Sequence, residues 1–256
     1  MEHSQLLPEP PGREAVATVD AHGAKVQAMF TDIAPGYDLA NRLMSMGVDV
    51  RWRRAAVREL LPKDDAGDGR RLLDLCAGTL DSSLEMHRAF PQADIIGGDF
   101  SSGMLETGAK RLSGAAKERI TPKQMDAHDL PEGDASLDAL FCAFGVRNLS
   151  DLDRACAEKA RVLKAGGKLV VLEFFRPEAW TGKVFQTVYN NTVLPVVGWA
   201  CTGNLAAYRY LPRSIEAFCT GPEYRQKLEA AGFVDVQVRS LTFGVASMVV
   251  ATKGGA

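Results

Sequence analysis

The stretch RLLDLCAGTLDSSLEMHRAFPQADIIGGDF, residues 71–100, decides the fold class. Four of its first six residues are apolar, Leu72, Leu73, Leu75 and Cys76, which indicates a buried strand. The small-residue turn AGTLDSS leads into a helical pattern over 82–90, which ends before Pro91. A second apolar run over 93–100 then closes on Asp99. A strand, a helix and a second strand in this order predict the first unit of a parallel sheet.

The same alternation continues along the chain. Helical patterns cover 102–112, 151–163 and 222–233, and strand patterns cover 119–126, 136–145, 168–175, 234–240 and 244–253. Pro122 predicts an edge strand, since proline donates no ladder hydrogen bond. Residues 165–167, Ala-Gly-Gly, are expected to end the helix before them. The last strand has no helix before it and is expected to pair antiparallel. The prediction is an α/β fold, a mostly parallel sheet with helices on both faces.

Three segments lie outside this alternation. Residues 1–24 are rich in proline and small residues, which predicts a flexible arm. Residues 25–62 have a helical pattern and are expected to form an N-terminal lid. Residues 176–212 form an apolar insertion, interrupted by proline and glycine, on the expected substrate side. We expect residues 25–256 to form a single domain.

The charge balance excludes several classes of protein. The 256 residues include 30 Lys and Arg against 32 Asp and Glu, a formal charge of −2, so a general nucleic-acid surface is not expected. The five cysteines are scattered and odd in number, which argues against a disulfide framework or a zinc site and favours the cytoplasm. No signal peptide or membrane-spanning run is recognised. The partner is expected to be small, apolar or both.

Acidic residues end two more strands beyond the small-residue turn. Asp99 closes the second strand, where a carboxylate suits both hydroxyls of a ribose. Asp126 and Ala127 close the third strand, where a carboxylate and a backbone N–H suit an adenine. The GxGxxG of a nicotinamide fold is absent. These strand ends predict S-adenosylmethionine as the cofactor; the alternative is a chance pattern with a purely structural role.

Six segments occur in a fixed order: MFTDIAPGYDLANRLMSMGVDVRWRR (29–54), LLDLCAGTLD (72–81), GDFSSGML (98–105), FGVRNLSDLDRA (144–155), RVLKAGGKLVVLEFFRP (161–177) and AAYRYLPRSI (206–215). Together they resemble the ubiquinone/menaquinone biosynthesis C-methyltransferase family. That family is a branch of the class I S-adenosylmethionine-dependent methyltransferases. Each motif alone is loose, but all of them in order and at family spacing are specific. The resemblance covers about residues 25–253.

The resemblance implies a fold and a reaction. The fold is Rossmann-like, with a seven-stranded sheet of which one strand is antiparallel. The reaction is C-methylation of a prenylated demethylquinol, with demethylmenaquinol favoured over a 2-methoxy-6-polyprenyl benzoquinol. The sulfonium of the cofactor is already an electrophile, so no metal is expected. The alternatives are a methyltransferase for another phenol or lipid, and a non-catalytic subunit that keeps the fold.

The resemblance also implies which residues hold the cofactor. The residues assigned to its methionine end are Asp74, Gly78, Thr79 and Asp81. Asp99 is assigned to the ribose, and Asp126 and Ala127 to the adenine. One position departs from the family: Leu80 replaces a glycine. If that position needs a positive φ, leucine costs about 1–2 kcal/mol; if it lies in the helix, leucine is harmless.

On the acceptor side, Arg147 and Asn148 follow the fourth strand. Their expected role is to bind the quinol oxygens or to assist deprotonation; the alternative is that Arg147 pairs with a carboxylate and caps a loop. Tyr37 is expected in a lid over the cofactor and is grouped with them as catalytic, against the alternative of a simple turn. His128 lies beside the expected adenine, where a solvated or capping histidine is favoured over a general base.

The remaining substrate-side prediction concerns the C-terminal third of the chain. Tyr208 and Arg209 are expected in the acceptor pocket or its wall, with a structural salt bridge as the alternative for Arg209. The insertion is expected to form a channel for the prenyl tail and to touch the inner membrane face transiently. A homodimer interface or ordinary core is the alternative for that insertion.

Overall fold

The computed structural model describes residue 45, residues 47–178 and residues 205–255, with the backbone alone for residues 205–210. The predicted arm, Tyr37, most of the predicted lid and most of the predicted insertion lie outside the described residues. The side chains of Tyr208 and Arg209 also lie outside them. The rest of the predicted site belongs to the described part.

The described residues build one seven-stranded sheet. Its strands are β1 (Arg71–Leu75), β2 (Asp94–Asp99), β3 (Ile120–Gln124), β4 (Leu137–Ala143), β5 (Leu163–Glu173), β6 (Phe233–Leu241) and β7 (Ala246–Lys253). They lie in the order β3-β2-β1-β4-β5-β7-β6. Strand β7 pairs antiparallel with β5 and β6, and the other pairs are parallel. The predicted sheet and the edge position of the strand with Pro122 are confirmed.

The helices are α1 (Val48–Val57), α2 (Asp81–Ala89), α3 (Ser102–Ala109), α4 (Ala115–Arg119), α5 (Leu152–Val162), α6 (Leu205–Ala217) and α7 (Gly221–Ala230). Side chains fix where several of them begin. Ser101 accepts from the N–H of Met104 at 3.3 Å at the start of α3, and Thr220 and Glu223 form a capping box at α7. No helix in this part of the chain has the length and apolar character to cross a membrane.

Two apolar clusters cover the two faces of the sheet, because successive strand residues point to opposite sides. Leu72 belongs to the cluster that includes Trp52 of α1 and Met86 of α2. Leu73 belongs to the cluster that includes Ala160 of α5 and Leu228 of α7. Helices therefore cover both faces, as predicted. The carboxyl ends of β1, β2 and β4 lie at the same edge of the sheet.

One predicted boundary is wrong, and two helices were not predicted. Helix α5 ends at Val162, and residues 165–167 lie inside β5 instead of ending the helix. Strand β5 is bulged there, since Leu163 pairs with Leu137 but Lys168 pairs with Ala139. The unpredicted helices are the short α4 and the proline-containing α6.

Candidate cofactor and acceptor site

The turn after β1 is held by the carboxylate that ends β2. Gly78, with a φ of 54°, donates its N–H to Oδ2 of Asp99 at 2.8 Å. The other oxygen, Oδ1, accepts from the N–H of Ser101 at 2.8 Å. Burial raises the pKa of Asp99, and the N–H groups of Ser101 and Gly78 oppose that rise. The structure thus brings the predicted turn and the predicted ribose carboxylate into contact.

Leu80 has the left-handed backbone conformation, so its position does need a positive φ. Its φ is 66° and its ψ is 21°, directly before α2. The side chain is fully buried. Two glycines make room for it, because a Cβ on Gly97 would lie 2.5 Å from Leu80 Cδ2 and one on Gly108 2.7 Å from Leu80 Cγ. The leucine side chain therefore belongs to the apolar cluster that includes Trp52 and Met86.

Asp74 lies on β1 beneath the turn and has no exposed surface. Its Oδ2 accepts from the hydroxyl of Ser83 at 2.6 Å. Its Oδ1 has no hydrogen-bond partner among the described residues. Burial raises the pKa of Asp74 to about 7, while Ser83 and the charge of Arg53 pull the pKa down. A buried oxygen without a donor indicates that a ligand donor belongs there.

The predicted residues Thr79 and Asp81 lie around the same turn. Thr79 is 3% exposed, and its carbonyl accepts from Nη1 of Arg111 at 3.0 Å. The Asp81 carboxylate pairs with Nη2 of Arg111 through Oδ1. Its Oδ2 lies 3.8 Å from Nη1 of Arg53. The turn is therefore flanked by charged groups that reach it from α1 and from the residues after α3.

The predicted adenine residues follow β3. Oδ1 of Asp126 accepts from the N–H of His128 at 2.9 Å and lies 2.6 Å from its Nδ1. The Nε2 of His128 accepts from the N–H of Asp151 at 3.2 Å, ahead of α5. The imidazole therefore bridges two loops, which confirms the capping role expected for this histidine. Both of these contacts fall on Oδ1 of Asp126.

Arg147 makes the ion pair that was its alternative prediction. Its Nη1 donates to Oε1 of Glu173 at 2.7 Å and to the carbonyl of Phe144 at 2.6 Å. The two charged side chains are 5% and 0% exposed. The guanidinium carbon also lies 5.8 Å from the ring centroid of Phe174. Asn148 ends the same single turn, Val146–Asn148.

The loop that carries Arg147 adjoins the turn after β1 through a close approach of Gly145 to Cys76. A Cβ on Gly145 would lie 2.3 Å from the Cβ of Cys76. Only glycine fits there, which keeps the loop with Arg147 against the turn with Gly78. The sequence prediction missed three contributors to this site: Arg53, Ser83 and Glu173. The Trp-Arg of the N-terminal motif was the one available signal for Arg53.

The residues present fit S-adenosylmethionine. The orphan Oδ1 of Asp74 suits an ammonium group, the carboxylate of Asp99 suits a diol, and the loop at Asp126 and Ala127 suits an adenine. A β-sheet of this order with acidic strand ends at one edge defines a class I S-adenosylmethionine-dependent methyltransferase.

Solved structures support that class at the level of the fold. A Thermotoga maritima S-adenosylmethionine-dependent methyltransferase matches with a TM-score of 0.58 and 20% identity, over 88% of this chain and 99% of the other. Geranyl diphosphate C-methyltransferase from Streptomyces coelicolor matches with a TM-score of 0.58 and 15% identity, over 80% of this chain and 79% of the other. That structure contains S-adenosylhomocysteine.

The chain belongs to the ubiE/COQ5 methyltransferase family, whose model matches residues 18–253. It is 44% identical to a demethylmenaquinone methyltransferase of Deinococcus radiodurans, over 94% of this chain and 98% of the relative. It is 39% identical to a ubiquinone/menaquinone biosynthesis C-methyltransferase of Geobacter sulfurreducens, over 91% of this chain and 90% of the relative. The protein is thus an S-adenosylmethionine-dependent methyltransferase, and the predicted family and cofactor are confirmed.

Proposed function

We propose that this protein methylates a ring carbon of a prenylated demethylquinol, with demethylmenaquinol as the favoured acceptor. The observation that carries the proposal is the family match over nearly the whole chain, together with relatives named for demethylmenaquinone methylation. The set of acidic strand ends at one sheet edge supports it, since this set fits the methyl donor. When bound, the cofactor supplies the activated methyl group.

The cofactor residues have distinct proposed tasks. Asp74, Gly78, Thr79 and Asp81 form the methionine end of the site, and Asp99 binds the ribose. Asp126 and Ala127 bind the adenine, with His128 holding the loop in place. Because Gly78 already binds Asp99, the turn and the ribose group are preorganised for the ligand.

Arg147 and Asn148 are the proposed acceptor groups. A phenol pushes electron density to its ortho carbon once it loses its proton, so a group that stabilises the phenolate assists the reaction. Arg147 is paired with buried Glu173, which limits the positive charge near the sulfonium. A strongly cationic site would oppose the donor. Tyr208 and Arg209 complete the proposed acceptor side, and Tyr37 belongs to the proposed lid over the cofactor.

Two substrates separate the proposal from its alternatives. The protein, S-adenosylmethionine and either a short-chain demethylmenaquinol or a 2-methoxy-6-polyprenyl benzoquinol are incubated under reducing conditions. We expect methylation of the demethylmenaquinol, detected as the methylated product by mass spectrometry. S-adenosylhomocysteine binding without methylation of either quinol would overturn the quinone assignment. No binding at all would favour the non-catalytic subunit.

A paired replacement tests the role of Arg147. Removing Arg147 alone leaves Glu173 buried without its partner, which costs about 3–5 kcal/mol of stability. We therefore compare Arg147→Met/Glu173→Gln with the wild type. We expect kcat to fall by about 10²-fold, which is the contribution of a typical acid–base or phenolate-stabilising group. The affinity for S-adenosylhomocysteine should not change. An unchanged kcat would leave the arginine a structural role only.

The proposal includes a transient, apolar membrane contact. The formal charge of −2 gives no electrostatic anchor to anionic lipid, whereas residues 176–212 are apolar. We expect weak co-sedimentation with neutral phospholipid vesicles that is insensitive to salt. The alternative for the same segment, a homodimer interface, predicts a concentration-dependent mass by light scattering and no vesicle binding.

A further inference from the structure

Helix α1 places an arginine in a buried acidic pocket beside the cofactor turn. The Arg53 side chain is 13% exposed. Its Nη1 lies 3.5 Å from Oδ2 of Asp49 and 3.8 Å from Oδ2 of Asp81. Its Nε is buried and makes no hydrogen bond to any described residue. Planar guanidinium groups usually form short, two-pronged bonds, so this arginine is poorly satisfied by the protein groups around it.

The same pocket contains a poorly satisfied carboxylate. Asp74 is fully buried, and its Oδ1 has no partner within the described ranges. The charge of Arg53 acts on this carboxylate. Arg53 lies 3.8 Å from Asp81, which follows the turn after β1, and Asp74 lies on β1 beneath that turn, so an unused donor and an unused acceptor border the same turn. A buried polar group that nothing satisfies destabilises the fold. Such pairs of orphans are rare in folded proteins and indicate a ligand with both an acceptor and a donor.

The charges around the pocket define the chemistry of that ligand. The carboxylates of Asp49 and Asp81 lie 3.5 and 3.8 Å from Nη1 of Arg53. The charge of Arg53 also acts on Asp74, and Arg111 pairs with Asp81. A simple anion would meet too many carboxylates, and a simple cation would leave the buried Nε of Arg53 without an acceptor. An α-amino acid satisfies both groups, because its carboxylate and its ammonium are joined through one carbon.

We propose that Arg53 binds the α-carboxylate of the cofactor's methionine end while Oδ1 of Asp74 accepts from its α-ammonium. Helix α1 is then part of the cofactor site and not only of the lid. The inference rests on the proposed cofactor site and adds to it a contact between Arg53 and the amino-acid end of the cofactor.

The neighbouring Arg54 offers a matched control. It lies on the same helix, but its side chain is 52% exposed and its Nε donates to Glu85 at 3.0 Å. Replacing it removes the same charge from the same element. It removes no group from the acidic pocket.

Two ligands test the proposal by calorimetry. S-adenosylhomocysteine has the amino-acid end, whereas 5′-methylthioadenosine is the same nucleoside thioether without it. We expect Arg53→Gln to lower the affinity for S-adenosylhomocysteine by roughly 10- to 100-fold, which is the range for the loss of one charge-assisted hydrogen bond. The affinity for 5′-methylthioadenosine should not change. Arg54→Gln should change neither affinity. Arg53→Lys, which keeps the charge but loses the planar fork, should give an intermediate loss.

Each remaining outcome counts against one specific statement. Equal losses for both ligands in Arg53→Gln would show that the arginine only supports the turn, which overturns the inference. An unchanged S-adenosylhomocysteine affinity would overturn it as well. If the wild-type protein binds neither ligand, the proposed cofactor site itself fails. Circular dichroism of Arg53→Gln and Arg53→Lys confirms that both variants are folded, so that a loss of affinity is not a loss of fold.

Discussion

At the scale of single residues, Leu80 combines an unfavourable backbone with full burial. A leucine in the left-handed region costs about 1–2 kcal/mol, but its side chain fills the space left by Gly97 and Gly108. We predict that Leu80→Gly relieves the backbone and still destabilises the protein by about 1–3 kcal/mol, because the cavity term of a lost leucine is larger. Urea unfolding measures the change.

Leu80→Ala is the control for that balance. It opens nearly the same cavity but keeps a Cβ at a φ of 66°, so it should be more destabilising than Leu80→Gly. A glycine variant as stable as the wild type would mean that the leucine contributes no packing. Since the side chain points into the core, Leu80 gives little support to the idea of a non-catalytic subunit.

Asp74 predicts a pH dependence of stability in the absence of cofactor. Burial raises its pKa from 3.8 to about 7. Below about pH 4 the group is protonated in both states, so its stabilising contribution is complete. As the pH rises toward 7 the unfolded state ionises first, and this contribution is lost, by roughly 4 kcal/mol at most. Asp74→Asn should therefore gain stability relative to the wild type between pH 4 and 7, measured by urea unfolding; parallel profiles would contradict the shifted pKa.

Some site residues were predictable because they are fixed locally. Gly78 and Asp99 follow directly from the position of a turn and a strand end, and both lie where the pattern placed them. The partner of Arg147 was not predictable, since Glu173 is 26 residues farther along the chain and pairs with it only after β4 and β5 align. Arg53 was hidden for the same reason, because its pocket is built from separate elements.

At the scale of elements, α1 connects the cofactor turn to the β6–β7 hairpin. The indole Nε1 of Trp52 donates to the hydroxyl of Thr242 at 3.0 Å. We predict a coupling of about 0.5–1.5 kcal/mol between Trp52→Phe and Thr242→Val in a double-mutant cycle of unfolding free energies. Thr242→Ser keeps the hydroxyl and should retain the coupling to Trp52. Zero coupling in the first cycle would mean that this bond does not help to hold α1.

The strands were more predictable than the irregular features between them. Buried parallel strands are continuous apolar runs, so β1, β2 and β4 begin and end close to the predicted residues. The bulge in β5 was mistaken for a helix end, because Gly166 has a φ of 77° there and a glycine pair serves both purposes. The five-residue α4 is too short for a helical period to be recognised.

At the scale of the whole molecule, the formal charge of −2 does not reflect the local concentration of negative charge at one edge of the sheet. Asp74, Asp81, Asp99 and Asp126 gather at one edge of the sheet, although the chain as a whole is nearly neutral. Each is matched by a fixed donor or by an arginine. The donor cofactor carries a sulfonium and an ammonium, so this edge is complementary to it without attracting polyanions to the rest of the surface.

That local complementarity predicts how the cofactor product stabilises the whole fold. At a concentration of 100 times its Kd, S-adenosylhomocysteine should add about 2.7 kcal/mol of stability, equivalent to a Tm increase of about 5–11 °C for a chain of this size. Asp99→Asn loses the carboxylate that is proposed to bind the ribose hydroxyls. We expect the affinity to fall by about 100-fold and the added stability at the same ligand concentration to fall below about 0.5 kcal/mol.

Asp94 supplies the control for this experiment from the other end of the same strand. Its side chain is 64% exposed and pairs with Arg119 at 2.9 Å, far from the carboxyl edge at which Asp99 lies. Asp94→Asn removes one negative charge from β2 and from the net charge of the molecule, as Asp99→Asn does. If global charge governed ligand binding, both variants would lose the Tm increase; if the strand-end carboxylate governs it, only Asp99→Asn loses it. An Asp99→Asn protein that keeps the full increase would remove the ribose assignment.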